Sequence, residues 1–136
     1  MLQFYFLSVS LNLLAGYMLF FWDETAASEE RKSDFPLQNE TFILIVGSLS
    51  ILTGLVKLFS PVGGRLPIIG DLIPAAVGLV CGFILLFGYY QRRTSIDETE
   101  HTKKIEGLLS GNKKVIGAAA FVAAVLHFLF PGFPLI

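Results

Sequence analysis

The stretch LIPAAVGLVCGFILLFGYY, Leu72 to Tyr90, carries no charged residue from end to end. A helix of that length rises about 1.5 Å per residue and covers roughly 30 Å, the thickness of a bilayer's hydrocarbon core. Backbone groups in hydrocarbon must be bonded within the segment or in a closed barrel. A barrel strand alternates apolar and polar at period two, whereas this run is apolar on every face. It therefore predicts a transmembrane helix. Asp71 stands where it can cap the first turn, and Pro74 is tolerated there. Tyr89 and Tyr90 supply the amphipathic rings favoured at headgroup level.

Working outward, three more runs have the same character. Leu2–Trp22 is interrupted strongly only by Ser8, Ser10 and Asn12. Phe42–Phe59 holds one charge, Lys57, near its end, and Val115–Phe130 holds His127 near its end. Pro61 and Pro131 stop these two runs. The expected fold is an all-α integral membrane protein, a single domain over 1–136 with four transmembrane helices in a bundle.

Composition agrees. The chain of 136 residues is 54% hydrophobic and 15% charged, against about 25% charged in a soluble domain. Its mean hydropathy is +0.68. Almost all charges fall in 23–40 and 91–114, and what lies outside the spans is too short and polar for a soluble domain. A net charge of −1 with no long basic run gives no nucleic-acid footprint. The single cysteine, Cys81, excludes an intrachain disulfide. Thr25-Ala26-Ala27 resembles a weak signal cleavage site, but no Lys or Arg precedes the first run and that run is long for a signal peptide.

The basic residues predict an orientation. Arg31, Lys32, Arg92, Arg93, Lys103, Lys104, Lys113 and Lys114 lie on one side, with Lys57 and Arg65 on the other. Loops 23–41 and 91–114 are therefore expected in the cytoplasm of an inner or plasma membrane, with both termini outside. Asn39-Glu40-Thr41 fits the glycosylation pattern but abuts a span on the cytoplasmic side, and is read as chance.

The two halves, 1–67 and 68–136, look alike. Gly16-Tyr17-Met18-Leu19 is echoed by Gly82-Phe83-Ile84-Leu85, and Asp23-Glu24-Thr25 by Asp97-Glu98-Thr99. Lys57 with Pro61 is echoed by His127 with Pro131, and Gly63, Leu66 and Pro67 by Gly132, Phe133 and Pro134. This order predicts a helical hairpin written twice. Two spans per unit make the copies parallel.

Small residues mark helix contacts in lipid. Ser8, Asn12 and Gly16 share a face, as do Gly47, Ser50 and Gly54, and Gly117, Ala120 and Ala124. Gly78 and Gly82 have the small-xxx-small spacing. These faces either close the bundle or, foremost Gly78/Gly82, receive a partner or a second copy. Between Ser95 and Gly111 a separate short helix is expected. Glu100 and Lys104 pair along it, Ile105, Leu108 and Leu109 form an apolar edge, and Gly111 is the stop. It would lie on the membrane surface or meet a partner. His101 among Asp97, Glu98 and Glu100 is too sparse for a metal site.

The residues with chemical potential are few. Asn12 is the strongly polar side chain nearest mid-membrane, and it either ties helices together or lines a path. Lys57 is expected to reach for headgroups and His127 to anchor at the interface or to titrate. An Arg65–Asp71 or Lys57–Asp71 pair would stiffen the turn at 60–71. No catalytic, cofactor or metal motif stands out. The expected function is a small non-enzymatic accessory or scaffold subunit of a membrane complex. One alternative is a small oligomeric transporter or channel, since four spans in a short chain resemble the layout of small multidrug transporters. That family depends on a membrane-embedded glutamate in its first helix, where this chain offers only Asn12. A lipid or quinone enzyme is the remaining alternative, with Asp71, Lys57 and Arg65 as its one candidate cluster.

Overall fold

A computed structural model describes residues 2–22, 39–59, 72–93 and 100–130. They form four α-helices: α1, Leu2–Phe20; α2, Glu40–Phe59; α3, Leu72–Arg93; and α4, Glu100–Leu129. There is no strand among the described residues. Each helix contains an apolar window long enough to cross a bilayer.

Three helices match their predicted spans closely. Asn39 begins α2: its side-chain oxygen accepts from the Thr41 amide at 3.1 Å, and its carbonyl accepts from Ile43 at 3.0 Å. That is an N-cap, and it employs the asparagine of the glycosylation-like triplet. At the same end of the assembly, Arg93 at the close of α3 reaches Glu40 at 3.4 Å.

The fourth helix corrects an expectation. No separate short helix ends at Gly111; α4 runs unbroken for 30 residues. A glycine inside a helix costs only about 1 kcal/mol relative to alanine. It ends a helix when the chain turns away, and here an apolar run begins one turn on at Val115, where a helix keeps the backbone bonded. Asn112 adds a bond from its amide to the Leu108 carbonyl at 3.1 Å.

The helices pack chiefly as α1 on α4 and α2 on α3, with α1 also against α3. Glycines set the closest approaches. A Cβ added at Gly117 would lie 2.6 Å from the Phe20 amide nitrogen and 2.7 Å from the Gly16 oxygen. One added at Gly82 would lie 2.7 Å from the Gly47 oxygen. Gly54 is held likewise against Ala75, at 2.9 Å. The small-residue faces are thus buried between helices of this chain, Gly78 and Gly82 included.

The interior divides lengthwise. Toward the Phe20 end it is apolar apart from Lys113, with Ala15, Met18, Leu19, Ile43, Cys81, Ile84 and Leu85 all buried. Trp22 closes that end over Gly88, whose added Cβ would lie 2.9 Å from the indole. Lys113 sits 5.0 Å from the Trp22 ring centre. Toward the Tyr5 end the interior holds Ser8, Asn12, Ser50, Thr53, Lys57 and His127, all buried. Outward, phenylalanines such as Phe83, Phe121 and Phe128 are exposed, a surface suited to hydrocarbon.

Candidate functional site

The polar interior is built by register. Tyr5, Ser8 and Asn12 recur at i, i+3 and i+7 on α1, and Ser50, Thr53 and Lys57 do the same on α2. Each trio therefore lines one face of its helix. The apolar majority of each helix points elsewhere, so folding draws both trios inside.

Lys57 and His127 form the centre of the site. The lysine Nζ lies 2.8 Å from the imidazole Nε2, a buried contact between α2 and α4. Only 2% of Lys57 and 1% of His127 is exposed. Lys57 thus does not reach for headgroups as expected. A partner nitrogen lies within reach of its amine, so the chain turns inward instead. Nor does His127 sit at an outer surface.

Tyr5 completes the cluster from α1. Its hydroxyl donates to the His127 carbonyl at 2.7 Å, and its ring centre lies 4.7 Å from the imidazole's. The Lys57 amine is 5.5 Å from the tyrosine ring centre. The sequence explains why that carbonyl is available. In a continuing helix it would accept from the amide four residues on, but residue 131 is proline and has no N–H. The tyrosine hydroxyl fills the vacancy.

About two turns deeper, Asn12 donates its amide to the Pro74 carbonyl of α3 at 3.0 Å. Gly78 makes room for it: a Cβ there would lie 3.1 Å from the Asn12 oxygen. The Ser50 hydroxyl is buried beside this contact with no hydrogen-bond partner among the described residues.

The structure therefore gathers Lys57 and His127, and joins Asn12 to the neighbourhood of Gly78. Gly82 lies in the other, apolar half. Arg65 and Asp71 fall outside the described residues, as do the turn at 60–71, residues 131–136 and the side chain of His101. The proposed pairs of Arg65 and Lys57 with Asp71 fall there too. Sequence reasoning missed Tyr5, although the unserved carbonyl four residues before Pro131 is a signal that a donor is needed. It also missed Thr53, one turn before Lys57 on the same face.

A shallow apolar cavity of about 370 Å³ lies between α1 and α4, on Gly16, Tyr17, Phe21, Ala118, Phe121 and Val122.

A family model matches residues 1–127. The chain belongs to that uncharacterised protein family. The chain is also similar to a protein of Treponema pallidum (strain Nichols), described only as an uncharacterized protein. It is 34% identical over 131 residues, which cover 96% of this chain and 95% of the relative. The likeness therefore extends across all four helices. No solved structure matches the chain.

Proposed function

We propose that this family member crosses the membrane four times and works as a non-enzymatic accessory or scaffold subunit of a membrane complex. The observation that carries this reading is the far end of α4. At 1.5 Å per residue its 30 residues extend about 45 Å, well beyond a core of about 30 Å. Its first turns project past the other helices. Among the described residues nothing lies within 4 Å of an added Cβ at Gly107 or Gly111, and Ile105 and Leu108 are exposed. A stiff helix carrying exposed aliphatic side chains suits the capture of another protein better than it suits chemistry. The interior polar groups support the same reading, because Asn12, Tyr5, Lys57 and His127 each spend a bond on a different helix. The excess of Lys and Arg in loops 23–41 and 91–114 supports an orientation with this projection in the cytoplasm and both termini outside.

The architecture in this proposal is a four-helix bundle of two tandem parallel hairpins. Burial supports it. Ser8, Val9, Asn12, Ala15, Gly16, Met18 and Leu19 correspond, 66 residues on, to Pro74, Ala75, Gly78, Cys81, Gly82, Ile84 and Leu85, and all are buried. Ile43, Gly47, Ser50, Gly54 and Lys57 correspond, 70 residues on, to Lys113, Gly117, Ala120, Ala124 and His127, again all buried. The glycine contact Gly16–Gly117 then has Gly82–Gly47 as its counterpart.

The test is a photo-crosslinking residue at position 108 of the full chain in its native membrane. A discrete adduct with one other protein is expected. Solely uncrosslinked chain, together with purification of the chain alone in mild detergent, sinks the subunit reading. A second reading, a small oligomeric transporter, draws on the buried Lys57–His127 pair, since ionisable groups inside a membrane commonly lie on ion paths.

A further inference from the structure

We propose that Lys57 and His127 constitute one proton-binding site, and that it clasps the end of α2 to the end of α4. The argument begins with lone pairs. An ammonium has none, and an imidazolium has none. At 2.8 Å the Nζ and Nε2 atoms must share a hydrogen, so one of the two groups keeps a lone pair. Ammonium donating to neutral imidazole satisfies this. So does imidazolium donating to neutral amine. Both states carry one positive charge and differ only in where the proton resides. A further proton turns both nitrogens into donors of like charge, and the contact cannot persist.

The surroundings suit a single charge. The tyrosine ring presents its face to the amine at 5.5 Å and lies tilted against the imidazole at 4.7 Å. An aromatic face stabilises one cation without fixing its position. Tyr5 is the titratable group that α1 brings to the pair. The first turn of α3 brings Leu72, Ile73, Pro74 and Ala75, none of which titrates. Segments 60–71 and 131–136, outside the described residues, contain Arg65 and Asp71.

The position gives the site leverage. Lys57 is two residues from the end of α2 and His127 two from the end of α4. Gly54 and Gly117 hold these helices to α3 and α1, not to one another. At this end the Lys57–His127 contact joins α2 directly to α4. Loading the second proton therefore separates two helix ends and leaves the glycine contacts intact. The inference does not depend on the subunit reading, and it would survive the loss of that reading.

The experiment uses the full chain in lipid nanodiscs with Cys81→Ala, and spin labels at Phe59→Cys and Phe130→Cys, two exposed positions beside the clasp. Distances are read at about pH 8 and about pH 4, since a proton beside an existing positive charge binds less readily than to a lone imidazole. The expected result is a longer distance at the acid pH, reversed on return, and no change in the His127→Gln chain. Equal distances at both pH values overturn the proposal, as does a pH response that persists in His127→Gln. Should His127→Gln fail to fold, nitrogen NMR of labelled histidine in His101→Asn protein decides. At high pH the His127 Nε2 should show coupling to the Lys57 amine, and its titration should shift in Lys57→Met. An imidazole signal indifferent to Lys57 overturns the clasp.

Discussion

The two ends of the helix assembly are held by different means. At the Phe20 end, backbones touch through Gly16, Gly47, Gly82 and Gly117, and apolar side chains with the buried Lys113 fill the rest. At the Tyr5 end, hydrogen bonds run from Tyr5 to His127, from Asn12 to Pro74 and between Lys57 and His127, beside the close Gly54–Ala75 approach. In hydrocarbon the hydrophobic effect gives no drive for helices to meet, so close packing and polar contacts must do so. Close packing tolerates no added atom. Polar contacts can be made and unmade by a proton. The difference teaches that one end is set mainly by steric fit and the other largely by hydrogen-bond partners.

Four substitutions test that division, from the largest effect to the smallest. Gly117→Ala should be the most damaging, because its methyl meets backbone at 2.6–2.7 Å that cannot rotate away. Overpacking of this kind costs about 3 kcal/mol, measured by reversible unfolding in mixed micelles. Unchanged stability would show that the glycine contacts are not what fixes this end. Asn12→Ala should cost about 1 kcal/mol in the same assay, the order of one interhelical hydrogen bond. An effect as large as that of Gly117→Ala would erase the distinction between the ends.

Tyr5→Phe removes one hydroxyl and leaves the ring. A loss of about 0.6 kcal/mol is expected, typical of polar contacts between membrane helices. A neutral result would mean that the His127 carbonyl finds another donor. Last, Gly107→Ala should stabilise α4 by about 0.5 kcal/mol, since its added methyl meets nothing among the described residues. Read by helicity on heating, a loss instead would reveal contacts to the projecting turns. Alanine for glycine at positions 107 and 117 of one helix should thus act with opposite sign.

How much of this was legible beforehand differs by feature. The spans were readable because length and uniform hydrophobicity suffice for a helix in lipid. The buried stripes at Ser8, Asn12 and Gly16, and at Gly117, Ala120 and Ala124, were readable because small residues recur at helical spacing. Gly111 misled, since a glycine reads alike whether the chain turns at it or passes through. Lys57 misled for another reason. A lone lysine near a helix end ordinarily reaches for water, and nothing local announces a histidine 70 residues away.

By itself, then, the sequence determined four apolar helices, their approximate ends and the face each would bury, because these depend on local composition and on the 3.6-residue period. Only the tertiary structure decided that α1 meets α4 and α2 meets α3, that Lys57 turns inward to His127, and that Tyr5 serves the carbonyl left open before Pro131. Those outcomes depend on which helices stand side by side. In a chain whose spans are nearly alike in hydrophobicity, that choice rests on contacts of a few ångströms between residues far apart in the sequence.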